Sequence, residues 1–158
     1  MNSTLSRYSP YVYAIMRIVV GLLFASHGGQ LALGLFGGMP NSNNSMSQVG
    51  GWIELLGGLL IAFGLFTRAA AFLSSGTMAV AYFMFHVANA TTLHAKFLPV
   101  ATAGPQYSNK GELAVLFCFI FLYIFFRGSG PLSLDNLIWG RSAAPDAVGG
   151  PMRTGRDL

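Results

Sequence analysis

The sequence predicts an all-α fold, a polytopic membrane four-helix bundle with a short C-terminal amphipathic surface helix. Composition is the first observation behind this prediction. Hydrophobic residues make up 53% of the 158 residues and charged residues only 9%, against about 25% charged residues in soluble domains. A soluble domain of this size cannot bury that much apolar surface. The composition therefore argues against a soluble enzyme domain and against a disordered chain.

Four apolar segments, at about residues 11–33, 49–66, 69–90 and 112–126, are the second observation. Crossing a bilayer as an α-helix takes about 20 residues. We expect the first segment to begin after Pro10, which normally breaks a helix. The fourth segment has only about 15 residues, so we expect it to include Lys110 and Gly111 or to cross locally thin lipid.

The connections complete the predicted domain organisation. Residues 34–48 are rich in Gly, Asn and Ser and predict an exposed loop, whereas Thr67 and Arg68 predict a tight turn between the second and third spans. A surface helix is predicted at about 132–139, with Ser133 as its N-cap and Asp135 in its first turn. Residues 1–140 thus form the bundle, and residues 141–158 form a polar tail.

Positive charges predict the orientation, because cytoplasmic loops of membrane proteins are enriched in Lys and Arg. With four spans, one side carries six arginines, namely Arg7, Arg68, Arg127, Arg141, Arg153 and Arg156. The other side carries Lys96 and Lys110. We expect a bacterial-type cytoplasmic (inner) membrane location with both termini cytoplasmic. The expected partners are the lipid bilayer and other membrane protein subunits. The sequence has no basic patch, so nucleic-acid binding is not expected.

Each predicted span places one proton-active side chain in the outer leaflet. These are His27, Glu54, His86 and Glu112, and Tyr82 lies one helical turn before His86. Ionisable groups inside a membrane cost about 2.5–3.5 kcal/mol each even on the lenient insertion scale, so each one requires a reason.

Three interpretations of this predicted cluster stay open. The side chains can bind a quinone headgroup and exchange its protons, because histidine titrates near neutral pH. They can hold a divalent metal, but no His-x-x-His or Glu-x-x-His spacing is present, so no metal site is predicted. They can also form a purely structural salt-bridge cluster that fixes helix packing. A quinone is the candidate cofactor, and no covalent cofactor is expected.

Arg17 lies in the inner half of the first predicted span, away from this cluster. Its guanidinium can snorkel to the cytoplasmic interface, bind an anionic lipid headgroup, or cap carbonyl groups at the hairpin turn. We favour snorkelling. Asp135 on the surface helix is the best acidic candidate to face Arg17, and both residues are assigned structural or lipid-contacting roles.

Several segments resemble the DoxX family of small four-helix membrane proteins. They are RIVVGLLFASHG (17–28), ELLGGLLIAFGLFTRAAAF (54–72), MAVAYFMFH (78–86) and GELAVLFCFIFLYIFFRGSGPLSLD (111–135). The resemblance implies a four-helix bundle associated with redox membrane systems, including thiosulfate:quinone oxidoreductase and oxidative-stress complexes. It also implies family-typical positions for six residues, namely Arg17, His27, Glu54, His86, Glu112 and Asp135. Cys118 is the single cysteine, which argues against a thiol relay within the chain.

The predicted function follows from these observations together. We expect an integral membrane subunit that is an accessory or structural component of a larger redox complex, respiratory or photosynthetic, and is not catalytic by itself. The alternative is a quinone-interacting oxidoreductase subunit that uses the outer-leaflet His/Glu cluster. A transporter is disfavoured because no inverted repeat is detectable.

Overall fold

The computed structural model describes residues 2–38, 45–100 and 107–140, and this part of the chain contains helices and no strand. The predicted tail, 141–158, lies outside the described residues. The α-helices are α1 Asn2–Leu33, α2 Ser45–Phe63, α3 Thr67–Ala81, α4 Leu93–Phe97, α5 Glu112–Arg127 and α6 Leu134–Trp139. Helix α3 continues directly into a π-helix, Tyr82–Val87, and a 3₁₀ turn, Leu35–Gly37, follows α1.

Among the described residues, three helical segments are long and apolar enough to cross a membrane. They are Ser6–Leu33, Ser45–Phe63 and Thr67–Val87. The prediction of an all-helical membrane protein is confirmed at this level. Helix α5 has 16 residues, which at 1.5 Å per residue is about 24 Å and shorter than the ~30 Å hydrocarbon core. A fourth span therefore stays a prediction.

Two predicted boundaries are wrong. Helix α1 does not begin after Pro10 but runs through it, because the fixed φ of proline is helical and only one N–H donor is lost. The turn between α2 and α3 lies at residues 64–66, not at Thr67 and Arg68. Gly64 and Phe66 adopt φ values of 70° and 48° there, so the chain reverses through left-handed conformations.

Glycines bring α1 and α2 into backbone contact. A Cβ atom on Gly28 would lie 2.2 Å from the Leu55 nitrogen, and one on Gly58 would lie 2.5 Å from the Ala25 nitrogen. No side chain fits at either position. Close approach of this kind is how helices associate in lipid, where packing rather than water exclusion favours contact.

Helix α5 packs against α3 and α1 and completes the core. Phe121 and Ile124 of α5 are fully buried, as is Phe24 of α1, and the Phe24 and Phe121 rings are 4.6 Å apart. Ser75 of α3 donates a hydrogen bond of 2.9 Å to the carbonyl oxygen of Cys118. The four longest helices therefore share one interior.

Helix α6 begins where the sequence predicted a helix start. The Ser133 hydroxyl accepts a hydrogen bond from the Asn136 amide, which is the predicted N-cap contact. Leu132, Leu137 and Trp139 expose their apolar side chains. Asp135 points in the other direction, toward the α2–α3 turn.

Candidate functional site

The first polar pair lies at the α1–α2 contact. His27 Nδ1 is 2.6 Å from Glu54 Oε2, so the two side chains share a hydrogen bond, which is an ion pair when the imidazole is protonated. The absence of a side chain at Gly28 lets the Glu54 backbone lie directly against α1. That approach places the Glu54 carboxylate beside the imidazole of the preceding residue.

The two partners differ in accessibility. The Glu54 side chain is 5% exposed, whereas the His27 side chain is 45% exposed. A buried carboxylate is costly unless a hydrogen-bonded partner compensates it, and His27 supplies that partner. The Nδ1 edge of the imidazole faces Glu54, and Nε2 is the second hydrogen-bonding atom of the ring.

A second polar group forms where the π-helix meets the segment before α5. His86 Nδ1 is 3.0 Å from the Asn109 carbonyl oxygen, and the Asn109 side-chain amide donates to the Tyr82 hydroxyl at 3.2 Å. The Tyr82 and His86 rings stack with centroids 6.4 Å apart. Asn109 also accepts a 2.8 Å hydrogen bond from the Gly111 amide, which fixes the entry into α5.

Sequence reasoning missed Asn109 entirely. The signal was present, because an Asn two residues before a Gly is typical of an Asx turn that orders the chain before a helix. Without tertiary contacts, however, nothing indicated that its carbonyl would meet His86 of another helix.

The predicted cluster of five side chains is thus divided between two places. The structure joins His27 to Glu54, and it joins Tyr82 and His86 through Asn109. Glu112 is the first residue of α5 and is exposed. A carboxylate at that position interacts favourably with the helix dipole. No group of three or more His, Cys, Asp or Glu side chains suited to a metal ion occurs among residues 2–38, 45–100 and 107–140.

Arg17 is fully buried, which differs from the favoured snorkelling interpretation. Its Nη1 donates to the Ser129 carbonyl oxygen at 2.6 Å and its Nη2 to that of Leu132 at 2.8 Å. Nη2 also lies 3.5 Å from the Ala62 carbonyl oxygen at the end of α2. The guanidinium therefore caps carbonyl groups around the hairpin turn, and a buried group is inaccessible to a lipid headgroup.

Asp135 binds the beginning of α3 from outside the helix. Its Oδ1 accepts from the Phe66 amide at 2.7 Å, and its Oδ2 accepts from the Thr67 amide at 3.0 Å and the Thr67 hydroxyl at 2.7 Å. The Asp135 amide in turn donates to the Gly64 carbonyl oxygen at 2.8 Å. Asp135 is also close enough to Arg17 to interact with it electrostatically, although the hydrogen bonds of its carboxylate oxygens are made with the beginning of α3.

Arg17 and Asp135 therefore act on the same end of the molecule through different partners. Arg17 joins α1 to α2 and to the segment after α5, and Asp135 joins α6 to α3. Charge-assisted hydrogen bonds to backbone groups are stronger than neutral ones. At this end, called the arginine end below, side-chain hydrogen bonds thus connect α1 to α2 and α6 to α3.

Comparison with known proteins supports one family. The DoxX family model matches residues 12–87, a range that includes Arg17, His27, Glu54, Tyr82 and His86. An uncharacterized protein from Haemophilus influenzae is 42% identical over 140 residues, covering 86% of this chain and 96% of that protein. No solved structure matches the chain. With a family match over α1 to α3 and a relative similar over nearly its whole length, the chain belongs to the DoxX family.

Proposed function

We propose that this DoxX-family membrane protein is an accessory, structural subunit of a larger redox complex in the bacterial inner membrane. The observation that carries the proposal is that its interior polar side chains connect the helices to one another. Arg17, Glu54 and Asp135 each make their strongest contacts with another helix or with the segments that connect the helices. Polar side chains that connect helices in this way are typical of a protein with a fixed structural role.

The packing of α1 against α2 supports the same proposal. Backbone atoms of the two helices approach so closely at Gly28 and Gly58 that a methyl group would overlap them. Interiors packed to this density resist rearrangement. A transporter needs two arrangements of its helices around a binding site, and this contact disfavours such motion.

The proposal includes α5 as a fourth crossing. Helix α5 buries Phe121 and Ile124 between helices that can themselves span the membrane. A short helix in that position is accommodated by local thinning of the bilayer. Four crossings put both termini on one side, and the arginine bias of the sequence favours the cytoplasm for that side.

Isolation from native membranes tests the accessory role. We expect the tagged protein, extracted in mild detergent after cross-linking, to copurify at constant stoichiometry with subunits that carry redox cofactors. Isolation of the chain without other subunits, from cells in which it is expressed at its natural level, would contradict the proposal.

A second candidate function is quinone interaction, and one observation favours it. His27 is 45% exposed while its partner Glu54 is almost fully buried. An imidazole oriented by a buried carboxylate can donate a hydrogen bond to a carbonyl group or relay a proton. A quinone dissolved in the bilayer offers such carbonyls. Electrons would have to come from a cofactor on a partner subunit.

Tryptophan fluorescence tests this second candidate. Trp52 lies two residues before Glu54, and Trp139→Phe removes the other tryptophan, so Trp52 becomes the sole reporter. In nanodiscs, a short-chain ubiquinone should quench Trp52 saturably, and Glu54→Gln or His27→Phe should weaken binding by about tenfold. His94→Gln, at an exposed histidine on α4, should bind as the parent does. Equal quenching in all variants would exclude a role for the pair.

A further inference from the structure

Two exposed arginines converge beside Gly128 at the arginine end of the molecule. Arg127, the last residue of α5, places its guanidinium carbon 5.7 Å from the centre of the Tyr13 ring. The Tyr13 hydroxyl donates to the Gly128 carbonyl oxygen. A Cβ atom on Gly128 would lie 3.2 Å from Arg68 Nε and 3.4 Å from Arg68 Nη2. Arg68 and Arg127 therefore flank the same glycine from α3 and α5.

The carboxylates of the described chain are committed elsewhere. Glu54 pairs with His27, and both oxygens of Asp135 accept from the first residues of α3. Glu112 lies at the opposite end of α5, about 22 Å from Arg127 along the helix axis. Within residues 2–38, 45–100 and 107–140, neither Arg68 nor Arg127 forms an ion pair with a carboxylate. Two cations beside one glycine, with no carboxylate partner among these residues, favour the binding of an anion.

An aromatic strip extends from these arginines along the outside of α3 and α5. The Phe72 and Phe125 rings are 5.4 Å apart, and the Phe125 and Phe126 rings are 5.0 Å apart. Phe72 follows Arg68 by one helical turn and is exposed. The charged pair is thus continuous with an apolar surface that lies along a membrane-crossing helix.

We propose that Arg68 and Arg127, together with the aromatic strip of Phe72, Phe125 and Phe126, bind one anionic phospholipid. The phosphate sits between the two guanidinium groups beside Gly128, and an acyl chain lies along the strip. Guanidinium groups suit this ligand because their planar N–H donors match phosphate oxygens.

A lipid suits the site better than a soluble phosphate compound does. Arg68 is the second residue of α3 and Arg127 the last residue of α5, and the ends of membrane-crossing helices lie at the level of the headgroups. Basic residues at that level attract anionic lipids. A soluble phosphate would use the arginines but gain nothing from the aromatic strip, so the two sources differ in their dependence on Phe72.

Native mass spectrometry of the full-length protein in detergent tests the site. We expect retention of phosphatidylglycerol over phosphatidylcholine. Arg68→Gln or Arg127→Gln should lower its apparent affinity about fivefold, and the double variant about 25-fold. Phe72→Ser should also weaken lipid retention while leaving both charges in place. The double variant Lys96→Gln/Lys110→Gln is the matched control, since it removes two charges at the other end and should bind normally.

Three outcomes would overturn the proposal. One is retention of phosphatidylglycerol by the Arg68→Gln/Arg127→Gln variant at the level of the parent, with both proteins folded by circular dichroism. Another is displacement of the lipid by millimolar inorganic phosphate, which would identify a soluble ligand. The third is lipid retention by Phe72→Ser at the level of the parent, which would show that the aromatic strip does not hold an acyl chain.

Discussion

Arg17 and Gly64 are in such close contact that a Cβ atom on the glycine would lie 2.1 Å from Nη1 of the arginine. Gly64 begins the turn between α2 and α3 and has a φ of 70°. The guanidinium, fully buried, occupies the volume that any side chain at this position would need. The tight turn therefore requires glycine at position 64, because the buried Arg17 side chain fills the space beside it.

Replacing Gly64 with alanine should destabilise the protein strongly. A left-handed conformation costs a non-glycine residue about 1–2 kcal/mol, and the overlap with Arg17 adds about 1–3 kcal/mol. The measurement is thermal unfolding followed by a thiol-reactive dye, because Cys118 is the single cysteine and is partly buried. Gly140→Ala, which also has positive φ but open space around it, separates backbone strain from the overlap. Equal losses in the two variants would contradict this account.

Arg17→Met should lower the free energy of unfolding by about 2–4 kcal/mol, because it leaves the carbonyl groups of Ser129 and Leu132 without their donor. Arg17→Lys should recover only part of this loss, since an ammonium group cannot reproduce the two-pronged contact. Arg7→Gln, at an exposed position on α1, should change stability by less than about 0.5 kcal/mol. Cys118 labelling on heating measures all three, and an unchanged Arg17→Met protein would exclude the capping role.

Asp135→Ala should loosen the start of α3. Loss of an N-terminal cap costs about 1–2 kcal/mol, and here the Phe66 and Thr67 amides lose their acceptor. Hydrogen exchange should accelerate at those amides more than at the middle of α3. Thr77→Ala is the control, because the Thr77 hydroxyl is exposed and bonds only to Leu73 of its own helix. Uniform acceleration along α3 in Asp135→Ala would indicate global unfolding and not loss of a cap.

Gly28→Ala should separate α1 from α2 and disturb the His27–Glu54 pair, because its methyl group would lie 2.2 Å from the Leu55 nitrogen. We expect a loss of stability of at least about 1–3 kcal/mol. Gly50→Ala has nothing within 4 Å of the added atom and should be neutral or slightly stabilising through helix propensity. The same labelling assay compares the pair, and similar melting of both variants would show that the contact is not tight in solution.

The helices could be predicted from the sequence because apolar runs of sufficient length specify them. Their ends were harder to predict. Proline usually interrupts a helix, yet α1 passes through Pro10. Apolar residues follow Pro10 without interruption, and the φ angle of proline is compatible with a helix. Thr67 and Arg68 resembled a turn because they are polar, but the turn needed Gly64 at positive φ.

The candidate site could be predicted only as a set of residue types. Placing His27 and Glu54 at similar depth in neighbouring spans brought together two side chains that the structure joins. The same argument grouped His86 with them, although depth alone does not specify which helix face a residue occupies. The π-helix of Tyr82–Val87 changes the angle between successive side chains after the end of α3. No pattern in the sequence indicated this π-helix.

The contacts of Arg17 have a consequence for biosynthesis. The carbonyl groups of Ser129 and Leu132, which accept hydrogen bonds from its guanidinium, come 112 and 115 residues later in the chain. During synthesis, α1 must enter the membrane while its arginine has no acceptors from that segment. A nascent chain that ends before Ser129 thus holds a cation in α1 without these two acceptors, so the last part of the chain is needed to complete the environment of its first helix.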